Sequence, residues 1–82
     1  MRLDKYLKVS RIIKRRTVAN EACDAGRVVV NGKIARASYD VKVNDVIELT
    51  LGARTVKARV VSVNEYAKKD EAAMMYELIE EK

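Results

Sequence analysis

Apolar positions along the chain follow two different periods, and the change between them divides it. Between Leu3 and Val9, Leu3, Tyr6 and Leu7 recur at i, i+3 and i+4, while Arg2, Lys5 and Lys8 fall largely on the other side. This spacing predicts a short amphipathic helix with a cationic outer surface. Ser10-Arg11-Ile12-Ile13 turns the chain and anchors it through the isoleucines. Thr17 then makes a good N-cap for a second helix from Val18 to about Ala25, with Val18, Ala19, Ala22 and Cys23 on one side and Gly26 as its closing glycine.

After Gly26 the period becomes two. Val28-Val29-Val30-Asn31-Gly32-Lys33-Ile34-Ala35 sets β-branched residues around Asn-Gly, the strongest short-range signal for a type I′ hairpin. Val46 to Leu51 reads as another strand, and Arg54 to Asn64 continues the alternation, with Val56, Ala58 and Val60 set against Thr55, Lys57 and Arg59. From Lys68 to Glu81 the apolar residues Ala72, Ala73, Met75, Tyr76 and Ile79 suit a terminal helix with an acidic outer face, Asp70 as its N-cap and the Met74-Met75 pair filling core gaps. The expected architecture is α+β: two short N-terminal helices packed on a small, bent antiparallel sheet, plus a C-terminal helix. The expected division is a domain over residues 1–66 and a helical tail over 67–82.

Composition narrows the function classes. A chain of 82 residues with no proline and three glycines suits one modest core and carries no linker signature. Its longest uninterrupted apolar run, Val28 to Val30, is far below the roughly 20 residues of a membrane span. The charged N-terminus lacks the apolar centre of a signal peptide, so a cytoplasmic location is expected. There is no histidine and one cysteine; a nucleophilic thiol needs a base, so Cys23 reads as a buried core residue. No metal cluster or glycine-rich phosphate loop is visible. The expectation is a protein that is not an enzyme, with no cofactor, no metal and no small-molecule substrate.

Charge changes the picture more than composition does. Residues 1–36 hold ten basic side chains (Arg2, Lys5, Lys8, Arg11, Lys14, Arg15, Arg16, Arg27, Lys33 and Arg36) against three acidic ones, a local charge of +7; residues 37–82 hold seven against nine, a local charge of −2. Six of the ten are arginine, whose planar fork suits phosphate and base stacking. Counterion release would reward a polyanion held against the first half only. A membrane-surface role would need bulky apolar residues opposite the cations, and Phe and Trp are absent.

Several segments, in order, resemble a known family. Arg2-Leu3-Asp4-Lys5-Tyr6-Leu7, the basic Lys14-Arg15-Arg16, Asp24-Ala25-Gly26-Arg27-Val28-Val29-Val30-Asn31-Gly32-Lys33 and Asn44-Asp45-Val46-Ile47 are similar to the S4-type RNA-binding domain over about residues 1–51. The family commonly has glycine at the position of Asn44, and asparagine also tolerates a left-handed turn. The length and the tail Lys68 to Glu77 narrow the resemblance to the small S4 proteins of bacterial ribosome-associated quality control. That resemblance implies the S4-like (αL) fold. It further implies binding to a large (50S) ribosomal subunit obstructed by peptidyl-tRNA, contacts with 23S rRNA and tRNA, and support of alanine tailing by an RqcH-like factor. The chain is expected to be a monomer. The sequence leaves open a general chaperone of free large subunits, an RNA-binding regulator with no role in tailing, and a protein partner for the acidic C-terminal helix.

The resemblance places the first two helices on the RNA, so Arg2, Lys5, Lys14, Arg15 and Arg16 are the preferred phosphate contacts, with Arg16, beside the helix start, foremost. Lys8 and Arg11 belong to the same surface, and Arg27, Lys33 and Arg36 extend it along the hairpin. Asp4, an acid amid cations, is expected to orient a neighbouring arginine or cap the first helix, with hydrogen bonding to RNA as its alternative. Tyr6 and Tyr39 are candidates to stack on unpaired bases, although Tyr6 shares the apolar face with Leu3 and belongs first to the core.

Overall fold

The computed structural model describes residues 1–79. Helices α1 (Leu3–Val9) and α2 (Arg16–Asp24) are followed by β1 (Val28–Val30), β2 (Lys33–Ile34), β3 (Val46–Leu51), β4 (Arg54–Val60), the single-turn α3 (Lys69–Ala72) and β5 (Tyr76–Leu78). The strands form one sheet in the order β2-β1-β3-β4-β5, every pair antiparallel. Val30 sits opposite Ile47 and Ile47 opposite Ala58, and Val28 faces Leu49. These residues are all buried, and Val28, Val30, Ile47 and Leu49 share one core cluster with Leu3, Tyr6 and Leu7 of α1 and Ala19, Ala22 and Cys23 of α2. The alternate residues Val29, Glu48 and Lys57 form a row on the other face.

Local chemistry explains most of the boundaries. Asn31 and Gly32 have φ of 53° and 84° and link Val30 to its partner Lys33, the left-handed pair that a type I′ turn demands. Gly26 at φ 72° ends α2, with its own N–H donating to the Cys23 carbonyl and the Arg27 N–H to that of Ala22, the two bonds of a Schellman motif. Asn44 takes the left-handed conformation at φ 77°, as expected where relatives of this kind carry glycine. Cys23 is buried as expected, and burial, with the charges of Asp4 and Asp24, pushes its thiol up to about 11.

Three expectations are corrected. Helix α2 begins at Arg16, one turn position before Thr17, and its N-cap Arg15 makes no side-chain capping bond; Thr17 is an exposed first-turn residue. Strand β4 stops at Val60 because the Val61 and Ser62 N–H groups turn to the Met75 carbonyl. That carbonyl also accepts the buried Tyr6 hydroxyl at 2.7 Å, which draws the terminal segment into the core. The helix expected from Lys68 to Glu81 is therefore one turn, capped at Lys68, after which Tyr76–Leu78 pairs with β4. Ala72 and Met75 are 1% exposed, so residues 67–79 pack on the same core as the rest. The end of the expected helix, residues 80–82, lies outside the described residues.

Candidate nucleic-acid interface

Asp4 is the centre of the basic surface. It lies in the first turn of α1 with a side chain 3% exposed. Its carboxylate accepts from Arg2 Nε at 3.1 Å, the Lys5 backbone N–H at 2.8 Å, Asn20 Nδ2 at 3.3 Å and Arg16 Nε at 3.5 Å. Burial pushes the Asp4 carboxyl upward, but hydrogen bonds from Asn20, Arg2 and Lys5, with the Arg16 charge, outweigh it and hold the group below its ordinary value. It is thus a carboxylate at neutral pH, and it draws Arg2, at the N-cap of α1, and Arg16, the first residue of α2, to one point. Arg2 Nη2 also donates to Asp4 at 3.4 Å, and both arginine side chains remain 51% exposed.

The first turn of α1 is itself held. Leu3 N–H donates to the Tyr39 carbonyl at 2.8 Å, Asp4 N–H to that of Ala37 at 3.2 Å, and Val41 N–H to that of Met1 at 2.9 Å. The Met1 amino group pairs with Asp40 at 2.8 Å. A second buried carboxylate, Asp45, fixes the segment that supplies these acceptors. It accepts from Tyr39 Oη at 2.9 Å, Asn31 Nδ2 at 3.0 Å and the Lys42 N–H at 3.0 Å. Burial raises the Asp45 carboxyl and these three bonds more than reverse it, leaving it below the ordinary value. The hairpin turn, the 36–45 segment and the start of α1 therefore form one hydrogen-bonded frame.

The predicted cations separate within this frame. Arg2 and Arg16 meet at Asp4, and Arg36 shares a groove with Arg2. Lys8, Arg11, Lys14 and Arg15 are exposed at the end of α1 and in the connection to α2. Arg11 has φ 64°, a left-handed conformation that costs a non-glycine residue about 1–2 kcal/mol. Lys5 is half-buried, its ammonium 3.8 Å from Glu65. Lys33 and Arg36 lie beside Tyr39 along the hairpin, whereas Arg27 lies in a different cleft with Val18, Glu21 and Leu51. Tyr6 is 0% exposed, so it is a core residue and not a stacking platform.

Asn20 was not among the sequence candidates, although Arg16, Asn20 and Asp24 form an i, i+4, i+8 polar stripe on α2. That stripe was the available signal. What it lacked was Asp4, which meets Asn20 only through the packing of α1 on α2. Among the described residues no group of three or more His, Cys, Asp or Glu is placed to hold a metal ion, and no helix is long and apolar enough to cross a membrane.

The S4 domain family matches residues 1–47. The chain is 56% identical over 81 residues to the RQC P-site tRNA stabilizing factor of Streptococcus pneumoniae, covering 99% of this chain and 92% of that protein. It is 49% identical to the Bacillus subtilis protein of the same name, covering 99% and 94%. Among solved structures, the trimeric structure of heat shock protein 15 from Vibrio cholerae superposes with a TM-score of 0.87 at 28% identity, over 96% of this chain and 81% of that one.

Proposed function

Because the chain belongs to the S4 domain family, and within it to the RQC P-site tRNA stabilizing factors, we propose that it is a cytoplasmic RNA-binding protein of ribosome-associated quality control that holds tRNA on an obstructed large ribosomal subunit. It does so by binding alone, as a monomer and without cofactor or covalent chemistry. The observation that carries this reading is the Arg2–Asp4–Arg16 cluster, in which one buried carboxylate orients two half-exposed guanidiniums, one at the N-cap of α1 and one at the start of α2. A fixed pair of forks matches phosphate oxygens at a set spacing, as structured RNA presents them. The exposed Lys8, Arg11, Lys14 and Arg15, at the end of α1 and in the connection to α2, add charge that is paired with no acid among the described residues.

In finer terms, the cluster sits against 23S rRNA while the adjoining basic surface steadies the tRNA, keeping the peptidyl-tRNA in place through successive additions by an RqcH-like tailing factor. Co-sedimentation with large subunits carrying peptidyl-tRNA tests this. Arg2→Ala and Arg16→Ala should each lower binding about tenfold or more at near-physiological salt, one charge-assisted contact being worth about 1.5–3 kcal/mol. The log-log salt slope should be roughly −0.7 to −0.9 per neutralised phosphate. Unchanged co-sedimentation of both variants overturns the proposed surface. The competing reading is a general chaperone of free large subunits; equal binding to subunits with and without peptidyl-tRNA, and tailing unaffected by deletion, would establish it instead.

A further inference from the structure

Beside the arginine cluster a groove of about 470 Å³ runs between α2 and residues 34–38, within the roughly 300–1,000 Å³ of small-ligand sites. Its sides differ in chemistry. One is apolar: Ile34, on the edge strand β2, is 70% exposed, an aggregation liability at a sheet edge unless something covers it. The opposite side presents acceptors. Asn20 and Asp24 both line the groove one helical turn apart. The amide NH2 of Asn20 is committed to Asp4, since only the donor end of the amide can face a carboxylate, and its Oδ1 is thereby turned away as an acceptor. Asp24 is exposed, with no cation paired to it among the described residues. It also occupies the last position of α2, where the helix dipole disfavours a carboxylate. The rim carries Arg2 and Arg36.

No simple anion satisfies this set, because Asp24 repels it. The complementary ligand brings a flat apolar body, two adjacent N–H donors on one edge and an attached anionic group. Guanine is the base whose Watson–Crick edge offers two neighbouring donors, N1–H and N2–H; adenine and uracil alternate donor and acceptor, and cytosine sets one donor beside two acceptors. Resting on the RNA-binding reading above, we propose that this groove takes one unpaired guanosine of the bound RNA. Its ring lies on Ile34, its N1–H and N2–H donate to Asp24 and Asn20 Oδ1, and its phosphate meets Arg2 and Arg36. The pattern is that of single-stranded RNA recognition, where a splayed base is read on its Watson–Crick edge while arginines hold the backbone.

The test uses the full chain and a fluorescent RNA hairpin with one loop position varied as guanosine, inosine, adenosine or xanthosine. Guanosine should bind about tenfold or more tightly than inosine, which lacks the 2-amino donor, or adenosine, as one bidentate base contact implies. Asp24→Ala, at an exposed helix end, removes the acceptor for N1–H and should weaken guanosine and inosine while leaving adenosine unchanged, with an unchanged melting curve; xanthosine, whose 2-carbonyl would face the Asn20 Oδ1 acceptor, should bind no better than inosine. Arg16→Ala should weaken all four RNAs alike. Equal affinity for guanosine, inosine and adenosine, with a normal response to Arg16→Ala, overturns the guanosine site and leaves the RNA-binding reading standing. Failure to bind any of the hairpins overturns both.

Discussion

Substitution of Asp4 by asparagine separates two roles that a carboxylate among arginines can have. A carboxylate that merely lowers the local charge restrains polyanion binding, and its loss should tighten RNA. One that orients the arginines pre-organises the surface, and its loss should weaken RNA. The Arg2 and Arg16 pairs are half open to water, so each contributes at most about 1 kcal/mol to stability. The Lys5 and Asn20 bonds to the buried oxygens contribute about 1–2 kcal/mol each. Asparagine keeps one acceptor oxygen and the shape, so about 2 kcal/mol is lost, a fall in Tm of about 8–16 °C for a domain of this size. Freeing two guanidiniums adds about 0.5–1.5 kcal/mol of ordering cost each on binding, or about 5- to 150-fold in affinity for the pair. Anisotropy of a labelled large-subunit RNA fragment measures it, at a temperature where circular dichroism shows the variant folded. Affinity equal to or above that of the unsubstituted chain, despite the added positive charge, would refute the orienting role.

Two further perturbations follow from the same frame. Arg11→Gly relieves the left-handed arginine at φ 64° and should stabilise the fold by about 0.5–1 kcal/mol while reducing the salt slope of RNA binding by about one phosphate; a lower Tm would show that Arg11 carries no backbone strain. The carboxyls of Asp4 and Asp45 are both held below their ordinary value, so their contribution is complete above about pH 3.9 and is lost as the pH falls through the folded-state values. Urea midpoints should therefore drop on acidification below about pH 4, and less steeply in Asp45→Asn; a midpoint that holds to about pH 2 would contradict the assignment.

What could be read in advance was whatever short-range chemistry decides. The Asn31-Gly32 turn, the Gly26 helix end, the α1 face of Leu3, Tyr6 and Leu7, and the buried Cys23 depend on a few neighbouring residues each, and their physics is present in the local string. The terminal segment is the opposite case. Ala72 and Met75 satisfy a helical i, i+3 spacing with a single turn, and the next residues become a strand because β4 offers an unpaired edge and the Met75 carbonyl gathers Tyr6, Val61 and Ser62. That edge belongs to residues 54–60, and no window around residue 76 contains it.

The cations divide along the same line, with a consequence for function. A sum of +7 over residues 1–36 is additive and visible in the sequence, and counterion release depends on little more than such a sum. Orientation is not additive. Arg2 and Arg16 are 14 positions apart in sequence, and Asp4, with Asn20 bracing it from α2, joins them only once the helices have packed. Lys8, Arg11, Lys14 and Arg15 carry the same formal charge without that constraint. Substituting one of these four should act mainly on the salt-dependent part of the affinity, alike for every RNA. A change at Arg2, Arg16 or Asp4 should also alter which RNA geometries are accepted, because the shared carboxylate fixes those two guanidiniums relative to each other.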